Sequence, residues 1–480
     1  MLRRTKIVAT LGPATESQEV IDEMIEAGVD VVRLNFSHGS AEEHARRAEM
    51  VRDRARAHGR PVGVLVDLQG PKIRIERFKD GKIELDEGAK FILDMNCPKT
   101  DGTIERVGVT YKVLATDVKR GDNLLLDDGR IVLWVEEVIG AEIHCKVVTG
   151  GTLSNNKGIN REGGGLSAAA ITEKDKEDIK TAALIKADYL AISFPRNAAD
   201  VNYARELQEA EGGFAQIVAK IERAEAIEAL EEIVDATDVV MIARGDLGVE
   251  IGDAELPAVQ KEITKVARAM NKVVITATQM MESMITNPIP TRAEVFDVAN
   301  AVLDGTDAVM LSAETAAGKF PAKAIATMDR ICIQAEKHPT ARLSDHRLNT
   351  QFDRIDEAIA MATMYTGNHL KVKAIASLTE SGSTPLWMSR ISSGIPIYAL
   401  TPHVVTRRKV TLYRGVYPVK FTVESTDHAV VNREVIDELV RRGAVRDGDL
   451  VLITKGDLAG VLGGTNAMKV VRVGELSDPS

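Results

Sequence analysis

Between residues 5 and 313 the chain repeats one pattern: a short apolar, largely β-branched run followed by a longer stretch with helical spacing. The runs are TKIVAT (5–10), DVVRLNF (30–36), VGVLVDL (62–68), DYLAISF (188–194), QIVAKIE (216–222), DVVMIAR (238–244), KVVITAT (272–278) and DAVMLSA (307–313). Near-continuous hydrophobicity, rather than alternation, marks strands covered on both faces. Stretches such as SQEVIDEMIEAG (17–28) and PAVQKEITKVARAMN (257–271) supply helices between them, and Thr291 with Glu294 forms a capping box for another. Eight such units predict a parallel (β/α)8 barrel, an α/β TIM-barrel fold, with an open doubly wound sheet as the alternative.

The spacing breaks after the third run. Residues 71–168 carry short alternating segments and tight-turn signals, KDG at 79–81 and DDG at 127–129, with no long helical pattern. They predict a small antiparallel β-barrel inserted in a loop at the functional rim, where it can serve as a lid. Its exit, GGTLSNNKGINREGGGLS, is rich in Gly and Asn, as a hinge requires. The polar stretch HPTARLSDHRLNT (338–350) reads as a linker, and from about 341 onward the pattern is again α/β: a helix in RIDEAIAMATMYTGNHL, then strands in VKAIASLT, PIYALT, PVKFTV and DLVLITKG. The predicted organisation is a discontinuous barrel (1–70 and 169–340), a lid (71–168) and a C-terminal open-sheet domain (341–480).

Composition narrows the function. Apolar residues at 44% and charged residues at 28% are those of a globular protein, and 480 residues exceed one ordinary core. The net charge of -10 argues against a general nucleic-acid binder. No run approaches the ~18 apolar residues of a membrane span. The apolar part of MLRRTKIVATLGPAT is too short for a secretory signal, and Cys97, Cys145 and Cys332 lack metal-ligand spacing. A cytoplasmic protein with free buried thiols is the expectation.

The chemistry sits at the ends of the runs. Lys220 and Glu222 are two apart and share a side in extended chain, while Arg244 and Asp246 close the next run around Gly245. One ammonium and two carboxylates at one rim suit a divalent metal with an anionic substrate; a structural ion-pair network is the bland alternative. Arg33, Asn35 and Ser37 alternate in VVRLNFSHGS, and Arg33 offers a fork to phosphate. Asp67, Lys72 and Arg74 follow in VDLQGPKIR; Thr278 ends the seventh run with Glu282 a turn on, and Ser312 and Glu314 follow the eighth. Met280, Met281 and Met284 read as core. In the C-terminal domain, TESGST (379–384) lies between a strand and a helix, where free amides hold an anion or a Ser or Thr merely caps the helix. No GxxxxGK[ST], protein-kinase HRD or DFG set, GxSxG or HExxH is present.

Together KIVATLGPAT, VVRLNFSHG, DLQGPKIR, SNNKGIN, AKIE, VMIARGDLGVEI, ITATQMMESM, PTRAEVFDVANAVLDGTDAVMLSAETA and LTESG resemble the pyruvate kinase family along essentially the whole chain. The resemblance implies transfer of a phosphoryl group from phosphoenolpyruvate to ADP, giving pyruvate and ATP, with Mg²⁺ or Mn²⁺ as cofactor. It makes Lys220 the residue that neutralises the phosphoryl in flight, Glu222 and Asp246 the metal ligands, and Arg33 a phosphate contact. Gly245 and Asp246 with Thr278 match the carboxylate-binding part, and Thr278 lies near the proton route to the enolate. Asn35, His38, Arg74 and Lys157 match nucleotide contacts. A homotetramer is the family habit.

Two departures stand out. Many members have Glu at the position of Lys72 and need K⁺, held by residues matching Asn35, Ser37, Asp67 and the Leu68 carbonyl. Here the lysine argues against a K⁺ requirement, its ammonium taking the ion's place. The TESGST segment (Thr379, Ser381, Gly382, Ser383, Thr384) has Ser383 where an arginine often serves a sugar bisphosphate, so allosteric control by a sugar monophosphate or AMP is expected instead. Rival readings are a carbon–carbon lyase acting on an enolate, which would not bind ADP, and a catalytically silent metabolite sensor.

Overall fold

The computed structural model describes residues 2–342, 351–457 and 460–475, so most of the predicted linker 338–350 lies outside the described residues. Eight strands close into a barrel: β1 (Lys6–Leu11), β2 (Val31–Asn35), β3 (Gly63–Asp67), β4 (Tyr189–Ile192), β5 (Gln216–Ile221), β6 (Val239–Ala243), β7 (Val273–Ala277) and β8 (Ala308–Leu311). Each pairs in parallel with its sequence neighbours, and β8 returns to β1 through Lys6↔Ala308. Each strand begins and ends within two residues of its predicted run; the last stops at Leu311, where Ser312 is the N-cap of a short helix.

Alternation within each strand divides two cores. Val32 and Leu34 of β2, Val64 and Val66 of β3, and Ile217, Ala219 and Ile221 of β5 pack outward against the helices. Val31, Leu65, Val218 and Met241 point inward. The same parity turns Arg33, Asn35, Asp67 and Lys220 inward, at the carboxyl ends of their strands. Helices start where the sequence places caps: Thr291 Oγ1 accepts from Glu294 N, and the Glu294 carboxylate accepts from Thr291 N. Met280, Met281 and Met284 are fully buried in the outer core.

The segment between β3 and β4 forms a six-stranded sheet in the order 159–161, 123–126, 131–139, 142–149, 90–94, 106–107, beside a two-stranded ribbon of 82–85 with 151–154. Its pairs are antiparallel except the last, and sheet and ribbon enclose one apolar core. Asp127 and Asp128 take positive φ (52° and 57°) beside Gly129, so the DDG signal is a tight turn.

The C-terminal sheet has five strands in the order β11 (Val416–Lys420), β10 (Ile397–Thr401), β9 (Ala374–Leu378), β12 (Leu450–Gly456), β13 (Thr465–Arg472). The first four are mutually parallel and β13 is antiparallel. The run PVKFTV is displaced, the strand ending at Lys420, and β13 has no counterpart among the predicted runs. The inner barrel core is continuous with residues of this sheet's helices, such as Met364, Met388 and Leu412. Arg390, fully buried, bonds the Asp307 carboxylate under β8 and locks the two together. The three cysteines are free and buried, and among the described residues no helix is long and apolar enough to cross a membrane.

Candidate functional site

The register fixes who meets whom at the carboxyl rim. Thr10 pairs with Arg33, Asn35 with Asp67, and Lys220 with Met241. Arg33 Nε donates to Asp67 Oδ2 at 2.6 Å and its Nη1 to Thr10 Oγ1 at 3.1 Å. Lys220 Nζ lies 3.3 Å from Asp67 Oδ1 and 2.8 Å from Glu222 Oε1, and donates to Ser193 Oγ at 2.7 Å. Ser193 Oγ in turn donates to the Leu68 carbonyl at 2.8 Å. Phe194, held at φ 59°, donates its amide to Glu222 Oε2 at 2.8 Å.

The side chains of Asp67 and Glu222 are each about 1% exposed, so these charges act in a weakly screening medium. Burial alone would push Asp67 up, but Lys220 and Arg33 outweigh it and hold the carboxyl below its usual range. Burial likewise opposes the Lys220 ammonium, yet Asp67 and Glu222 more than offset that and keep it protonated. Burial pushes Glu222 up against the pull of Lys220, and the nearby Asp246 charge adds to the push. Two mutually repelling hard-oxygen acids fit a cation between them. Among the described residues no group of three His, Cys, Asp or Glu side chains gathers to cage an ion. A site of two carboxylates finished by water and substrate oxygens matches the habit of Mg²⁺.

The next strand end is built differently. Arg244 does not end β6 but opens the helix Arg244–Ile251. Its guanidinium grips both oxygens of Asp297 (2.7 and 2.8 Å) and donates to the Thr278 carbonyl at 2.6 Å. Thr278 and Gln279 have φ of 68° and 53°, a costly conformation for a β-branched residue and one that the Arg244 contacts hold in place. Thr278 Oγ1 therefore faces the helix start, where it accepts from the Gly245 amide at 2.9 Å. A side chain at Gly245 would meet only Thr278, its nearest atom 3.7 Å away, so no protein contact demands glycine there. With no side chain at Gly245, only the Thr278 hydroxyl covers the helix start, and a ligand can approach its backbone closely.

Lys72, at the entry of the inserted segment, points its ammonium to Asp246 Oδ1 at 3.4 Å. Within the set Asn35, Ser37, Asp67 and Leu68, Ser37 N donates to Asn35 Oδ1, Asp67 holds Arg33 and Lys220, and the Leu68 carbonyl takes Ser193. Lys72 thus bears on the metal-type carboxylate rather than filling that set. The entry itself is pinned by Asp175, which accepts from Gly70 N at 3.1 Å. Gly70 has φ +65° and a Cβ there would fall 2.7 Å from Ser193 Cβ, so glycine is required.

Of the nucleotide-contact candidates, Asn35 is half-buried at the end of β2 and His38 is exposed in the loop that follows. Arg74 and Lys157 lie in the inserted unit, Arg74 Nη1 donating to the Asn156 carbonyl at 3.0 Å and Lys157 Nζ pairing with Asp127 Oδ1 at 2.7 Å. Glu282 is exposed, and Glu314 is a structural acceptor for Met281 N and Ser312 N. Thr379, Ser381, Ser383 and Thr384 line a separate cavity of about 370 Å³ in the C-terminal sheet, Gly382 N donating to Thr379 Oγ1 beside it. The sequence marks Arg244 at its strand end but not its hold on Asp297 and Thr278, and motif reading passes over Asp175, although the capping box Thr172–Asp175 is a readable signal for it.

A closed parallel barrel whose carboxyl rim collects a buried ammonium, arginines and carboxylates belongs to the class of α/β-barrel enzymes. Residues 2–325 match the family model described as pyruvate kinase, barrel domain, and residues 357–471 that described as pyruvate kinase, alpha/beta domain. The chain is 57% identical over 476 residues to pyruvate kinase II of Salmonella typhimurium, covering 98% of this chain and 99% of that one. It is 56% identical over 459 residues to a pyruvate kinase of Haemophilus influenzae (95% and 96% covered). A pyruvate kinase of Sporosarcina psychrophila is 43% identical over 479 residues, with 99% of this chain and 81% of that one covered. The chain belongs to the pyruvate kinase family.

Proposed function

We propose that the protein transfers the phosphoryl group of phosphoenolpyruvate to ADP, giving pyruvate and ATP. The observation that carries this reading is the Lys220 ammonium, kept protonated between Asp67 and Glu222 at the rim. Phosphoryl transfer needs positioning and neutralisation of spread charge more than covalent chemistry. Arg33 and Lys220 hold the phosphoryl oxygens from two sides. The amides of Gly245 and Asp246 with the Thr278 hydroxyl receive the substrate carboxylate, and Thr278 lies beside the carbon that gains a proton. Glu222 and Asp246 hold Mg²⁺ or Mn²⁺, which when bound supplies Lewis-acid neutralisation of the phosphoryl oxygens.

Asn35, His38, Arg74 and Lys157 receive ADP, the last two brought over the rim by the 71–168 segment acting as a lid. Residues 1–70 and 169–340 form the catalytic domain and 341–480 a regulatory one, whose 379–384 cavity takes an effector such as a sugar monophosphate or AMP. Lys72 makes the enzyme independent of K⁺, and the working form is a cytoplasmic homotetramer. The test is pyruvate formation from phosphoenolpyruvate and ADP with Mg²⁺, in K⁺-free buffer and again with K⁺. Activity in both supports the reaction and the role of Lys72; activity only with K⁺ keeps the first and removes the second; none in either overturns the reading.

A further inference from the structure

A basic cleft lies at the end of the barrel opposite the rim. It opens between the last turns of helix Ala41–Ala57 with the loop entering β3, and the helix Val404–Lys409 with the end of β11. Its volume is about 480 Å³, and Arg52, Arg56, Arg60, Arg407, Arg408 and Lys420 line it with no carboxylate among them. In a chain of net charge -10 such a gathering opposes the global sign.

Three acids lie near the cleft without lining it. Arg56 pairs with Asp53, and Arg60 donates to Asp30 Oδ1 at 3.1 Å. Asp188 lies buried near Arg408 and Arg52, its carboxyl pushed up by burial to about 6 and its Oδ2 accepting from Val64 N. Arg52 is spent on the carbonyls of Ile185 and Lys186. Arg407 and Lys420 have no acid partner among the described residues, and Arg407 Nε is buried without a hydrogen-bond acceptor. Burial and the charge of Arg408 both work against the Arg407 guanidinium. The uncharged wall is Pro61, Val62 and Val404.

Cations with unspent donors and the apolar residues Pro61, Val62 and Val404 in one lining describe a ligand with a multiply charged head and an organic body. We propose that this cleft binds a small phosphate monoester, which thereby bridges the barrel and the C-terminal sheet at a place separate from both the rim and the 379–384 cavity. The proposal stands independently of the reaction assigned to the rim.

The experiment is calorimetric titration of the full chain, without Mg²⁺, using glycerol 2-phosphate and inorganic phosphate as probes. One saturable component is expected that is at least tenfold weaker in the R407Q/K420Q variant, with activity in the absence of the probe unchanged. That component should survive K220Q at the rim and S381A/S383A in the other cavity. Should the double variant fail to fold, R407Q and K420Q alone are each expected to weaken it about threefold. Glycerol 2-phosphate should bind more tightly than phosphate. Equal affinity of the two, insensitivity to R407Q/K420Q, or loss on K220Q or S381A/S383A would each overturn the proposal.

Discussion

The Lys72 ammonium lies 3.4 Å from the Asp246 carboxylate, across the seam between the inserted segment and the barrel. A cation there offsets the mutual repulsion of Asp246 and Glu222. Replacing it by glutamate sets a third acid beside those two. Lys72→Glu is therefore expected to cut activity in K⁺-free buffer by tenfold or more, about 1.4 kcal/mol, and K⁺ but not choline should restore it. Equal loss in both salts would show that the side chain acts by packing or lid closure instead.

Removing the central ammonium should be far more damaging. Lys220→Gln is one atom shorter and keeps an uncharged donor, but leaves Asp67 and Glu222 facing each other without the ammonium. A fall in kcat of roughly a thousandfold is expected, the scale for losing a preorganised charge at a transferring group. KM for phosphoenolpyruvate should change much less. A variant within tenfold of the parent would remove Lys220 from its proposed role.

These two residues also show what a chain order can reveal. Strand parity was enough to put Lys220 and Glu222 on one side, and apolar runs located barrel strands to within one or two residues because both faces are buried. Partners remote in sequence were not readable: Lys72 and Asp246 are 174 residues apart, and Arg244 finds Asp297 53 residues on. The left-handed Thr278 was hidden because β-branching predicts extended backbone, and only the Arg244 contacts override it. The edge strand Thr465–Arg472 escaped because it is largely exposed and carries no buried run. The cleft at the barrel foot collects cations from residues 52 to 420, so no local motif announces it.

Arg244 offers a test of support as opposed to contact. Its fork spans Asp297 while also holding the Thr278 carbonyl, a geometry that lysine cannot reproduce. Arg244→Lys should lower kcat by roughly tenfold or more by releasing Thr278 from its positive-φ conformation, and destabilise the fold by roughly 1–2 kcal/mol as Asp297 exchanges a bidentate fork for a single ammonium. Thr278→Ser, which keeps the hydroxyl and relieves β-branching, should largely preserve kcat. If Arg244→Lys weakens the fold but leaves kcat intact, the bond to Thr278 serves stability alone.

A pH signature is expected from Glu250, on the helix that begins at Arg244. The residue is 6% exposed; its Oε2 accepts from Ala224 N at 2.9 Å, its Oε1 from Asn160 Nδ2 at 3.3 Å, and its backbone carbonyl from Gly163 N at 3.0 Å. Burial pushes its carboxyl up to about 7, against the pull of the two donors and Arg223. A raised carboxyl binds its proton more tightly in the folded chain than in the unfolded one. The stability it contributes is thus complete below about pH 4.5 and is lost as pH rises through 7, a loss of roughly 3 kcal/mol at most. Glu250→Gln cannot ionise and should escape that loss. Its Tm relative to the parent should rise steadily from pH 5 to pH 8. A difference that stays flat across that range would mean that Glu250 is already ionised at pH 5, held so by Arg223 and the amides around it.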